Sequence, residues 1–324
     1  MFYPNDIEEI CYDQDHIDKV WDEMQQPILN YFQKYVDSGG GHLIQDSEIQ
    51  KLAEKLGSTS KPKSKQKNPN KMLVELLTQS IENFESDRQP YQEILDLASL
   101  AEYKYDVNSF KNTILKNQIP IIRKTLQNKQ AKELDKFRAA FNTSDSGHLF
   151  EITSNIIKWA NKWRYEWYDE DEFEKFETCD DLNYYELDND EYTSRGVIGG
   201  GIKSHFIFKL FPEMYPSRSR EAIWALYYLS NKKKFGCKED SQFLMINTDD
   251  GTAQQNYFYP YGLFAFYALR IFNKLKELNA LHGAILPTEY RFVVVDSFLS
   301  FVSRNHQNEI DILKQKSQNY HYDY

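Results

Sequence analysis

Apolar residues recur at three- and four-residue intervals along most of the chain, the spacing that places them on one face of a helix. Ile17, Val20, Trp21, Met24, Ile28, Tyr31, Phe32 and Tyr35 share such a face and predict a helix over His16–Val36. Pro27 inside it predicts a kink or a restart, and Asp37-Ser38-Gly39-Gly40-Gly41 ends it. A short helix is expected over Ser47–Leu56, with Gly57 as its stop. The same periodicity predicts helices over Met72–Phe84, Tyr91–Tyr105, Val107–Leu115, Ile119–Gln127, Ala131–Phe141 and Phe150–Trp167. It returns over Ile202–Leu210, Ile223–Leu229 and Tyr261–Leu278. The fold class that follows is mainly α, with a short strand pair expected in the C-terminal half, where Gln242–Asn247 runs into a turn at Asn247–Gly251. Arg291–Val302 stays open between strand and helix, because Val293, Val294 and Val295 are β-branched and the run is too short for periodicity to decide.

Two stretches interrupt this pattern. Ser58–Lys71 carries Lys61, Lys63, Lys65, Lys67 and Lys71, two prolines and no large apolar residue. It reads as a solvated loop, with a phosphate-touching arm as the sharper alternative. Tyr168–Glu191 is crowded with acids against the single lysine Lys175. It is expected as an acidic surface linker or a loose acidic helix, and as the boundary between two halves. The resulting organisation is an N-terminal helical half over 1–167, the linker over 168–191, a C-terminal helical half over 192–310 and a polar tail over 311–324.

Composition narrows the function classes. With 41% hydrophobic residues in 324, the chain buries a sizeable core and is not a disordered protein. A net charge of −10 argues against a uniformly basic nucleic-acid binder and against a polybasic membrane anchor, but leaves local basic patches open. The N-terminal stretch lacks the apolar core of a signal peptide, and no run reaches the length of a membrane span. A cytoplasmic protein is the expectation. Cys11, Cys179 and Cys237 stand far apart, without Cys-x-x-Cys or Cys/His spacing, so no metal site is expected. Nothing in the sequence names a cofactor.

The strongest chemical signal is Arg195–Ser230. Gly199, Gly200 and Gly201 directly precede a helix, where unpaired N–H groups can hold a phosphate. Phe211-Pro212 and Tyr215-Pro216 end that helix, and Ser217 or Ser219 can cap the next. Arg218 and Arg220 stand at this cap, and Lys232, Lys233 and Lys234 form a basic turn after it. Tyr257, Phe258, Tyr259 and Tyr261 offer rings for stacking bases, or for core packing at a helix start. His205 reads as the edge of an apolar helix.

The order of glycine turn, helix, proline-containing loop and helix resembles the helix-hairpin-helix core of DNA base-excision glycosylases. The resemblance covers Arg195–Ser230 only. It implies that Gly199, Gly200 and Gly201 bind a DNA phosphate. It also implies that Lys203 stands where bifunctional members carry their Schiff-base lysine. The chain departs from the pattern after Pro216, where Ser217, Arg218 and Ser219 replace the catalytic Asp, which puts glycosylase chemistry in doubt.

The expected function is therefore DNA binding through Gly199, Gly200, Gly201, Lys203, Arg218, Arg220, Lys232, Lys233 and Lys234, in DNA processing or phage defence. Two rivals remain: a helical assembly protein that binds a protein partner or a second copy of itself, and a Mg²⁺-dependent nuclease whose acids converge only in space. No P-loop, HExxH or GxSxG motif is present.

Overall fold

The computed structural model describes residues 8–38, 69–237, 241–247 and 252–319. The expected helix at Ser47–Leu56, most of the lysine-rich break and the turn at Asp249–Gly251 lie outside them. Helix α1 (Gln14–Asp37) runs through Pro27 without a break, and buries Ile17, Val20, Met24, Ile28 and Phe32. After α2 (Pro69–Glu85), the expected helix over Tyr91–Tyr105 divides into α3 (Gln89–Ile94) and α4 (Leu97–Tyr103). The cause is Asp96. Its carboxylate accepts from Ala98 N at 2.8 Å and Ser99 N at 3.1 Å, so it opens a new helix and does not continue the old one. Helix α5 (Val107–Ser109) passes into a π-helical stretch over Phe110–Leu115. Helices α6 (Pro120–Gln127), α7 (Asp135–Thr143) and α8 (Ser146–Glu166) complete the first half.

The acidic segment is folded down onto the core. It forms the short helices α9 (Glu170–Phe173) and α10 (Cys179–Leu182), the latter closed by a capping box between Thr178 and Asp181. Phe173, Leu182, Tyr184 and Leu187 are fully buried. Each such side chain contributes roughly 1.5–3 kcal/mol on burial, enough to hold down a stretch most of whose acids are exposed. Part of the stretch is thus helical, with its apolar residues buried.

Helices α11 (Gly200–Leu210), α12 (Arg220–Leu229), α13 (Tyr261–Leu281), α14 (Arg291–Asn305) and α15 (Gln307–Asn319) make up the rest, with a hairpin of β1 (Leu244–Asn247) and β2 (Thr252–Gln255). The strands are antiparallel, with Leu244 opposite Gln255 and Asn247 opposite Thr252. Arg291–Val302 is helical despite its three valines. Phe292, Val293, Val294, Val295, Phe298 and Leu299 are all buried in α14, and packing against α12, α13 and α2 outweighs the weak β preference. Polar residues expected as a tail form α15, anchored by buried Ile310. Helix α1 packs on α12, α13 and α14, and α2 packs on α1 and α14. The buried apolar residues from Cys11 to Ile310 make one continuous cluster. Among the described residues no helix is long and apolar enough to cross a membrane.

Candidate functional site at the glycine turn

Helix α11 begins at an open turn. Ser194 and Ile198 pair backbone to backbone, and Gly196, at φ +80°, takes the left-handed conformation that closes the turn between them. Gly199 is the N-cap and gives the helix no side-chain cap. Space around Gly199 is open, since a Cβ there would meet nothing within 4 Å.

Gly200 is required for a different reason. A Cβ on it would lie 1.7 Å from Nη2 of Arg218. That arginine is 3% exposed. Its Nη2 donates to Tyr257 O at 2.7 Å and its Nη1 to Asn256 O at 3.2 Å. Its backbone N–H donates to Ser204 Oγ at 2.9 Å, one turn into α11. Arg218 thus ties the glycine turn to the chain segment that leads into α13. Its Nε is buried and has no hydrogen-bond partner among the described residues.

Lys203 points inward on the same helix, 2% exposed, with Nζ donating to Leu187 O and, at 3.3 Å, to Thr193 Oγ1. Neither Lys203 nor Arg218 makes an ion pair among the described residues. The carboxylate whose charge acts on both is that of Asp188. Its carboxylate accepts from Tyr261 N at 2.9 and 3.2 Å and so caps α13, which has only Pro260 at its own N-cap. Asp188 keeps an exposed face, but the protein packed around its carboxylate raises its pKa, against the pull of Lys203 and Arg218. Burial lowers the pKa of Lys203 to about 8, with Asp188 opposing and Arg218 assisting. Burial also lowers that of Arg218, which remains a cation. Two buried cations and one carboxylate leave positive charge beneath the glycine turn.

The cluster expected from the sequence is only partly assembled. Gly199, Gly200, Gly201, Lys203 and Arg218 do come together. Lys203 and Arg218 are interior, however, so the expectation that they project toward phosphates is corrected. Arg220 is exposed, and its guanidinium carbon lies 5.9 Å from the centroid of the Tyr257 ring. Lys232 and Lys233 lie away from the turn, paired with Glu309 of α15 and Glu23 of α1. Lys234 is exposed beside them. Tyr259 and Tyr261 are core residues, whereas Tyr257 is 46% and Phe258 37% exposed. His205 packs edge-on against Tyr91 at 5.4 Å, and burial lowers its pKa to about 3. Sequence reasoning does not find Asp188 and Asn256. Asp188 reads as one more solvated acid in the acidic segment, and only its contact with α13, 73 residues away, marks it out.

Two further features bear on chemistry. A cleft of about 480 Å³ lies elsewhere, between Arg88, Gln92, Arg164, Phe211 and Glu213. Its arginines are engaged: Arg88 donates to Lys209 O and Leu210 O, and Arg164 stacks on Phe211 at 5.1 Å. Cysteine spacing predicts no metal site, yet Cys11, His16 and Cys237 converge. Spacing is blind to this, since Cys11 and Cys237 are 226 residues apart and meet only through the packing of α1 on α12.

No family model, curated protein or solved structure matches this chain.

Proposed function

We propose that this protein binds single-stranded nucleic acid across the glycine turn. The observation that carries the reading is the tie made by Arg218. It holds the backbone of Tyr257, whose exposed ring has Arg220 over it, beside the open N-terminus of α11. A phosphate fits the N–H groups at the start of this eleven-residue helix, where the dipole and two buried cations favour negative charge. A base fits the faces of Tyr257 and Phe258, and stacking of this kind contributes about 1–3 kcal/mol per base without reading sequence.

A single strand suits the site better than a duplex. A duplex presents a broad phosphate surface, and most candidate cations are buried or paired with acids. The net charge of −10 favours a short local contact in the same way. A role in DNA processing or phage defence, and a cytoplasmic location, belong to the same proposal. A second reading, an assembly protein, is favoured by one observation: Leu281 and Ile285, at and just beyond the end of α13, are 83% and 93% exposed.

The test is fluorescence anisotropy with a labelled single strand and the matching duplex, at low and moderate salt, on wild type, Arg220→Ala and Tyr257→Ala. The expected result is salt-sensitive binding that prefers the single strand and weakens about tenfold in each variant, as the loss of one stacking or charged contact implies. Absence of binding at low salt, or equal binding by Tyr257→Ala, would refute the reading. A mass that grows with concentration would then favour assembly.

A further inference from the structure

The second convergence of chemistry lies at the opposite end of α12. Cys11 sits in the 3₁₀ turn Glu9–Tyr12 that leads into α1, and His16 follows in the first turn of α1. Cys237 comes from the loop after α12. That loop takes an unusual path: Phe235 is at φ +38° and Gly236 at φ +82°, and Gln242 Nε2 donates to the Cys237 carbonyl at 2.6 Å. Cys237 Sγ lies 3.3 Å from Cys11 Sγ and 3.4 Å from His16 Nε2. All three donor atoms fall within 4.8 Å of one another.

We propose that Cys11, His16 and Cys237 form a binding site for a thiophilic divalent cation, zinc above all. The geometry carries the assignment. In a tetrahedral site with Zn–S near 2.3 Å and Zn–N near 2.0 Å, neighbouring ligand atoms stand roughly 3.5–3.8 Å apart. The observed 3.3 and 3.4 Å need only a small expansion to reach that spacing. The donor set, two sulfurs and an imidazole, selects zinc over magnesium or calcium. Binding releases the two thiol protons to solvent and uses the neutral lone pair of Nε2, with no change of oxidation state. Among the described residues these three side chains supply the ligands. Cys11 is buried and His16 and Cys237 are half-buried, so a cation reaches the site from their side.

The ion would fasten the start of α1 to the loop between α12 and β1. Sulfur contacts already join these two segments, as does Glu8 N donating to Ser241 Oγ at 3.2 Å. The site is independent of the glycine turn, and its failure would leave the nucleic-acid reading untouched.

The experiment uses the full chain, reduced, stripped with a chelator and dialysed, then offered one equivalent of Zn²⁺ or Co²⁺. Expected are close to one zinc per chain after gel filtration, a thiolate-to-cobalt charge-transfer absorption, and a melting temperature that rises with zinc, since an ion that binds only the folded state stabilises it. His16→Gln and Cys237→Ser should each bind at least about tenfold more weakly, in line with the loss of a ligand. His16→Gln leaves both thiols in place and so separates the two uses of the sulfurs. Cobalt spectra without thiolate bands, no zinc retained by the reduced protein, or His16→Gln binding as wild type would each overturn the proposal. So would finding Cys11 and Cys237 joined as a disulfide that strong reductant leaves intact. Circular dichroism confirms that each variant is folded before it is scored.

Discussion

Gly200 and Arg218 occupy one another's space: Nη2 of the arginine lies 1.7 Å from where a Cβ on the glycine would stand. A clash with the far end of a flexible side chain is usually relieved cheaply. Here it is not, because the guanidinium is buried and holds the Asn256 and Tyr257 carbonyls. Any retreat breaks those bonds around an arginine that is only 3% exposed. Gly200→Ala is therefore expected to cost about 2–3 kcal/mol, combining overpacking with lost charged hydrogen bonds. Urea unfolding measures this. In an Arg218→Ala background the same substitution should cost under about 1 kcal/mol, because the clash is gone. Equal costs in both backgrounds would mean that the guanidinium is not what excludes a side chain at Gly200.

Lys203 gives the fold a signature in alkali. Burial brings its pKa to about 8 from an ordinary 10.5, roughly 3 kcal/mol of bias against the charged form. Between these values the unfolded chain holds more protons than the folded one, so this group's contribution makes stability rise with pH. Below pH 8 both states are protonated and the contribution is flat. Urea midpoints at about pH 7, 8, 9 and 10 for wild type and Lys203→Met isolate it. The wild type should gain relative to the variant as pH climbs above about 8. A constant difference would place the lysine's pKa near its ordinary value.

The proposed interface predicts which cations matter. Lys232 and Lys233 are tied to Glu309 and Glu23, away from the glycine turn, whereas Arg220 stands over Tyr257. Removing one phosphate contact from a single strand lowers the log–log salt slope by about 0.7. Arg220→Ala should show that change. Lys232→Ala and Lys233→Ala should leave the slope within error. The reverse pattern would move the interface to the basic turn.

The helical class was legible because core-facing residues such as Ile17, Val20, Met24 and Ile28 keep helical spacing over many turns. Where tertiary contact decides, the sequence is silent. Val293, Val294 and Val295 suit a strand by propensity and are helical because α12 and α13 cover them. Glycine, lysine and arginine at the candidate site were visible as residue types. Their burial was not, since a lysine is rarely interior and nothing local marks Lys203 as an exception. The convergence of Cys11 with Cys237 depends on how distant helices pack, which no spacing rule encodes.

The acidic segment supplies the sharpest test of that tertiary logic. Arg291, at the start of α14, is 0% exposed, and its guanidinium donates to Glu174 at 2.9 Å. Its charge also rests on the rings of Phe173 and Phe272, at 4.8 and 5.4 Å. Glu174, read from sequence as one acid among many, is thus the counter-ion of a core arginine. Breaking such a pair from one side strands a buried charge, so Glu174→Ala should cost about 3–5 kcal/mol. Asp171, exposed in α9 on the same segment, is the control: its substitution to Ala should stay within about 0.5 kcal/mol. Burial raises the Glu174 pKa, but hydrogen bonds from Lys276 and Arg291 outweigh it and leave the value below normal. Its contribution is therefore present above the ordinary carboxylate pKa and is lost as pH falls through the lowered folded value. Acid unfolding of wild type against Glu174→Gln reads this directly: the variant should lose less stability between about pH 5 and pH 3. Identical acid limbs would show that Arg291 is held by its backbone and ring contacts alone.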